Sequence, residues 1–150
     1  MPQSLAHLYV HLIFSTKNRE RSLHDGARKP LHAYMASVLQ GLECPAALIN
    51  SMEDHVHILM QLARTVTLSR AVEDVKKSSS KWLKRQGAEF AGFAWQAGYG
   101  AFGVSESNVQ SVSDYIANQA EHHRRKTFEE EYRALLKKHH IAYDERYVWD

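Results

Sequence analysis

The chain has 150 residues, 44% hydrophobic and 24% charged, with 19 Lys and Arg against 17 Asp and Glu for a formal net charge of +2. Those proportions fit one globular domain over residues 1–150, and a balance this mildly basic does not by itself indicate a nucleic-acid partner. No apolar run approaches the roughly 18–20 residues that span a bilayer, the first residues lack the basic-then-apolar pattern of a secretory signal, and the single cysteine, Cys44, excludes an intramolecular disulfide and fits a reducing compartment, so the cytoplasm is the expected location.

Residues 5–15 alternate as a strand, with Leu8, Val10, Leu12 and Phe14 on one face and Tyr9, His11 and Ile13 on the other. A basic connection over residues 16–21 leads to a helix over 27–42, whose Leu31, Met35, Val38, Leu39 and Leu42 share one side, with Gly41 and Pro45 ending it. Residues 46–52 read as a short buried strand, Glu53 and Asp54 as a turn, and 55–62 as a third strand. A helix over 67–85 buries Leu68, Val72, Val75 and Trp82. Residues 93–104 then read as a fourth strand punctuated by glycines, which often mark a bulge or a close backbone approach. Ser105 starts a helix carrying Val109, Val112, Tyr115, Ile116 and Gln119. Thr127 opens a last one, with Glu129, Glu130 and Glu131 in its first turn and Lys137 to His140 in its last, charges that complement the helix dipole. The aromatic, charged tail over 142–150 is expected to dock on the domain or on a partner.

The order strand, helix, strand, strand, helix, strand predicts an α+β fold: a ferredoxin-like split βαβ antiparallel sheet with helices on one face, plus an added helix bearing Tyr115 and a C-terminal helix.

Ten histidines are many for a chain of this length, and position has to decide what they do. His55 and His57, two residues apart on a strand, leave the same face while Val56, Ile58, Met60 and Leu62 point into the core. Two imidazoles on one pleat suit a single divalent cation, although the same spacing describes two surface histidines on an exposed sheet. Tyr115 and Gln119 lie four apart, on adjacent turns of one helix face. A nucleophilic phenol and a metal-ligating amide oxygen could arrive together there, and so could a tyrosine that merely packs on the sheet.

In combination, His55-Val56-His57 on a central strand with Tyr115-Ile-Ala-Asn-Gln119 on the helix after the fourth strand resembles the single-tyrosine transposases of the HUH superfamily, the group associated with insertion sequences and repetitive extragenic palindromes. Residues 11–19 (HLIFSTKNR), 54–59 (DHVHIL) and 95–102 (WQAGYGAF) resemble the same family in the same order, over nearly the whole chain. Glu53 stands where many relatives have proline, a change in the turn, and Gly103 stands where serine is common.

The resemblance implies Mg²⁺ or Mn²⁺ held by His55, His57 and Gln119, with no nucleotide cofactor. It implies Tyr115 as the nucleophile that cuts single-stranded DNA through a 5′-phosphotyrosine, with DNA hairpins as recognised elements and a homodimer as the assembly. His11, on the first strand beside the third, is a candidate auxiliary group for the phenol's proton, and a structural role fits it as well. His122 and His123 read as surface residues near a helix end. For DNA, Arg70, Lys77, Lys81 and Lys84 line up on the helix over 67–85 with no intervening acid, and Lys17, Arg19, Arg21 and residues 124–126 extend the basic surface. Two other readings are a DNA-hairpin binder without cleavage and a ferredoxin-like metalloenzyme acting on a small molecule.

Overall fold

The structure, a computed structural model, describes residues 2–150. Four strands, β1 (Tyr9–Ser15), β2 (Ala46–Ser51), β3 (His55–Gln61) and β4 (Gly100–Val104), form one antiparallel sheet in the order β2-β3-β1-β4. Between them run α1 (Asp25–Gly41) and α2 (Leu68–Lys84), followed by α3 (Val109–Ala117), α4 (Gln119–His122) and α5 (Phe128–Lys138). This is the split βαβ order expected from the sequence, with β1 and β3 in the centre. No helix among the described residues is long and apolar enough to cross a membrane.

Strand alternation separates two apolar clusters. Val10, Leu12 and Phe14 of β1 join Val56, Ile58 and Met60 of β3 in packing against Leu31, Met35 and Leu39 of α1 and Val72, Val75 and Leu83 of α2. The opposite face carries His11, Ile13, His55 and His57. There α5 closes over Ile13 and Phe102 with Phe128, Tyr132 and Leu136. The added helices thus cover the sheet face that α1 and α2 leave open. Thr67 and Thr127 cap their helices by accepting the backbone N–H groups of Arg70 and Glu130, each at 3.2 Å.

Three expectations are corrected. The first strand begins at Tyr9, and Leu8 is exposed. The fourth covers only residues 100–104, because the preceding segment spends its backbone groups elsewhere. Lys76 Nζ donates to the carbonyls of Gln96, Ala97 and Gly98 at 2.8, 3.2 and 2.6 Å, Gln96 exchanges hydrogen bonds with Ser15, and Trp95 Nε1 donates to Ser79 at 3.0 Å. The helix carrying Tyr115 stops at Asn118, whose φ of −96° and ψ of 26° divide α3 from α4. The tail docks on its own chain. Trp149 lies under the Arg133 guanidinium at 5.0 Å, Arg133 donates to Glu145 at 2.7 Å, and the Asp150 carbonyl accepts from Gly98 N at 2.8 Å.

Gly100 is the close approach anticipated from the glycine pattern. A Cβ there would lie 2.7 Å from a Tyr132 ring carbon and 3.1 Å from Ile13. Gly100→Val should therefore lift α5 off the sheet and destabilise the fold by about 1–3 kcal/mol. Urea unfolding checks this, and a midpoint equal to wild type would contradict the packing.

Candidate metal and nucleophile site

The buried site lies where β3, β1, α3, α4 and α5 meet. Register sets its floor: His57 faces Ile13 across β1 and Asn50 across β2, which places His11 diagonally beside His57. His11 Nε2 and His57 Nδ1 are 2.8 Å apart. His55 Nδ1 contacts Asp54 Oδ1 at 2.7 Å. Each β3 histidine is thus oriented through its inner nitrogen, and the Nε2 atoms are left pointing into the site. Such outer contacts fix ring orientation in metal centres.

Glu131 of α5 occupies the middle. Its Oε1 lies 3.1 Å from His57 Nε2, 3.3 Å from His55 Nε2 and 3.1 Å from His123 Nε2. Its Oε2 accepts from the Tyr115 hydroxyl and from Gln119 Nε2, the latter at 3.2 Å. Gln119 Oε1 lies 3.2 Å from His55 Nε2 and 3.0 Å from His123 Nε2. Tyr115, Gln119, His55 and His57 are therefore brought together within a single chain. Asn50 of β2 steadies this corner by donating to the Ile116 carbonyl at the end of α3 (2.9 Å).

The structure adds two residues to the expected set. Glu131, read as a dipole-complementing acid, is 3% exposed and linked to both β3 histidines. His123, read as a surface residue, has a side chain only 9% exposed and contacts both Glu131 and Gln119. The tight turn after α4 folds it back, which helix periodicity does not foresee. Glu131 left a signal: it lies on the stripe of Phe128, Tyr132 and Leu136, where a carboxylate is anomalous unless something pairs with it. His122 packs tilted against Tyr115 with ring centroids 4.6 Å apart, so it too lies at the site's edge. His11 meets Tyr115 only ring to ring, with centroids at 6.3 Å, while its hydrogen bond goes to His57.

The α2 cations lie elsewhere. Arg70, Lys77, Lys81 and Lys84 are exposed on a helix that packs on the sheet face opposite the histidines. The stripe is not free of acids, a correction, since Asp74 pairs with Arg70 at 3.8 Å, one turn along. Lys17 is exposed in the first loop, and Arg19 pairs with Glu129 at 3.3 Å.

Charge in the site is arranged by burial and by Glu131. Burial alone would raise the Glu131 carboxyl, yet hydrogen bonds to His123, His55 and His57 hold it well below the usual carboxylate range. Burial opposes protonation of His55 as well, but its bonds to Asp54 and Glu131 outweigh this and push it up to about 9. Burial lowers His57 to about 4 and His11 to about 3, the latter helped by the neighbouring His57. The Tyr115 phenol is raised by burial first and then by the Glu131 charge.

These shifts set a pH optimum for the metal-free protein. His55 stabilises the fold fully below its ordinary value of 6.5, and that contribution is lost as pH rises through about 9. His11 stays neutral in the fold, so below 6.5 the unfolded chain takes up a proton that the folded chain refuses. Stability should therefore peak near pH 6.5 and lose about 2 kcal/mol through His11 alone by about pH 5. Urea midpoints at three pH values check this, and a profile still rising towards pH 9 would contradict it.

The donor set fits a cation. Ligand atoms of His55, His57 and Glu131 all lie within 4.8 Å of one another, two nitrogens and a carboxylate oxygen, with the Gln119 amide oxygen alongside. Nitrogen and oxygen together suit several first-row divalent ions as well as Mg²⁺.

Among solved structures, the fold is similar to a candidate transposase from Deinococcus radiodurans, with 23% identity, a TM-score of 0.62, and cover of 79% of this chain and 98% of the other. It is also similar to a REP-associated tyrosine transposase bound to a REP hairpin, with 14% identity, a TM-score of 0.60, and cover of 82% and 74%. No individually curated protein matches. At these identities the likeness is one of fold. The family itself is shown by the sequence: residues 4–119, from before β1 through Gln119, match the family model described as transposase, IS200-like. That span takes in His11, His55, His57, Tyr115 and Gln119 and ends before Glu131, and the chain belongs to the IS200-like transposase family.

Proposed function

We propose that this transposase is a single-strand DNA transesterase that uses Tyr115 as nucleophile and a divalent cation held by His55, His57, Glu131 and Gln119. The observation that carries the reading is the Glu131 carboxylate, which meets the histidine Nε2 atoms with one oxygen and the Tyr115 hydroxyl with the other. A cation at that position would polarise a phosphodiester beside the phenol. Tyr115 Oη attacks the scissile phosphorus, the P–O3′ bond breaks, and a 5′-phosphotyrosine and a free 3′-hydroxyl result. Return attack by a 3′-hydroxyl rejoins the strand. One phosphodiester replaces another, so no nucleotide cofactor is required.

Asp54 and His11 hold the Nδ1 sides of His55 and His57, which makes His11 a positioning group for the metal ligands. Tyr115 must lose its proton during attack, and its raised pKa in the metal-free site means the free phenol is poorly reactive until charge there is offset. Mg²⁺ and Mn²⁺ are the ions proposed.

The DNA proposed is single-stranded with hairpins, consistent with the REP hairpin in the similar structure. The exposed cations of α2, Arg70, Lys77, Lys81 and Lys84, are proposed to meet phosphates of a paired stem, with Lys17 and Arg19 nearer the site. Each chain supplies one Tyr115, and joining two ends takes two cleavages, so a homodimer is the proposed assembly. Incubation of hairpin-bearing single strands with the protein and Mn²⁺ or Mg²⁺ tests the whole reading through a denaturant-resistant adduct. Binding without an adduct in either metal would leave a hairpin-binding protein.

A further inference from the structure

Tyr115 is the shared wall of two clefts. One, of about 390 Å³, lies between α4 and α5 and is lined by His122, Arg125, Lys126 and Lys138. The other, of about 380 Å³, lies between β4, α3 and α5 and takes in Phe102, Ser111, Lys138 and His139. Leu135 and Lys138 border both, so the clefts meet at the phenol.

Their charges are available to a ligand. Arg125, Lys126 and Lys138 are exposed and form no ion pair among the described residues. The two acids lining the first cleft are engaged, Glu121 by Arg124 at 3.4 Å and Glu131 by the histidines. A larger groove of about 660 Å³ by the first loop shares Arg125 and Lys126 with the first cleft, while its Arg19 and Arg21 are answered by Glu129 and Glu53 at 3.3 and 3.9 Å. The Tyr115 clefts add the unpaired Lys138, so the free cations continue from that groove past the phenol. His122 Nε2, beside the phenol, is buried without a hydrogen-bond partner among the described residues. In the second cleft His139 stacks on Phe102 with ring centroids 4.3 Å apart, and its exposed outer face offers a platform for a base. Spaces of this size admit nucleotides one at a time and not a duplex.

We infer that an unpaired DNA strand runs along α5 across Tyr115, with Arg125 and Lys126 holding phosphate in the first cleft and Lys138 holding it where the two clefts meet. The inference rests on the transesterase reading above. A strand held along both clefts would place the scissile phosphate against Tyr115, at the edge of the histidine cluster.

Anisotropy with an unpaired oligothymidylate, in metal-free Tyr115→Phe protein so that no cleavage occurs, tests the path. Arg125→Ala together with Lys138→Ala should make the slope of log K against log salt shallower by about 1.4, about 0.7 for each phosphate no longer neutralised, and weaken binding about tenfold or more at about 0.1 M salt. The same removal of charge at Lys29 and Arg64, exposed on α1 and in the loop after β3, should leave the slope unchanged. No measurable binding by the parent variant, an unchanged slope, or an equal change from the Lys29 and Arg64 pair would overturn the inference. Circular dichroism of the variants excludes misfolding as the cause. Adduct formation by the wild-type protein is scored separately: an adduct with unchanged slopes overturns this path alone, whereas a shallower slope without any adduct supports the path and overturns the transesterase.

Discussion

Tyr115→Phe should abolish the covalent protein–DNA adduct and lower strand scission by about 10⁴–10⁶-fold, while the chain still folds and binds Mn²⁺. The size follows from losing the only group proposed to attack phosphorus. What remains is the cation and the binding surface, and in other hydrolytic sites loss of the nucleophile costs factors of that order. The fold should survive because the ring's contacts are unaffected: Tyr115 packs against His122, His57 and His11 through its ring, and only the hydroxyl's bond to Glu131 disappears. Glu131 Oε2 keeps Gln119 as a donor at 3.2 Å, so no buried acceptor is left bare. Denaturing electrophoresis of end-labelled DNA reads the adduct, and calorimetry with Mn²⁺ reads the metal site. A persisting adduct would transfer the role to another residue. Loss of metal affinity along with the adduct would show that the phenol is itself part of the metal centre.

Glu131→Gln should have the second largest effect, on the metal site and the fold together. The carboxylate is the negative charge that His55, His57 and His123 share, and it is almost wholly buried. Replacing it by an amide leaves a protonated His55 with Asp54 alone as counter-charge in low dielectric, and removing one partner of a buried pair typically costs about 3–5 kcal/mol. Mn²⁺ affinity should fall at least tenfold, since an anionic oxygen is a stronger ligand than an amide for a hard cation. The pH dependence should change in a defined direction. The Glu131 carboxyl is held below its ordinary 4.5, so it stabilises the fold above that value and the contribution is lost on acidification. His55, keeping Asp54 but losing Glu131, should titrate below about 9, which reduces the loss of stability between pH 6.5 and 9. Urea unfolding across pH checks both. Unchanged stability and unchanged Mn²⁺ affinity would remove Glu131 from the centre and return the third ligand position to Gln119 alone.

Conversely, His123 contributes through Glu131 and Gln119, at 3.1 and 3.0 Å, and sits on a turn with an exposed basic run behind it. Its contacts tie that run to the histidine cluster. The same turn carries Arg125 and Lys126, so the histidine cluster and the proposed strand path are joined by a few residues of chain.

Much of the site was legible in the amino-acid sequence because the relevant rules are local. Residue parity on β3 puts His55 and His57 on one face, and the four-residue spacing of Tyr115 and Gln119 survives the helix break at Asn118. The alternation of strands and helices leads to a split βαβ sheet with β1 beside β3, hence His11 beside His57. The glycine pattern marked a close approach, found at Gly100. Tertiary structure alone decided which element closes the open face. Glu131 reaches His57 across 74 residues of chain, and only the docking of α5 against Gly100, Ile13 and Phe102 brings it there. Periodicity says which face of a helix is apolar but not what that face will meet, so an acid on the stripe looks like a dipole partner until the opposite surface is seen. For the same reason the α2 cations, aligned in the sequence, were placed by the packing of Val72, Val75 and Leu83 on the far side of the sheet from Tyr115.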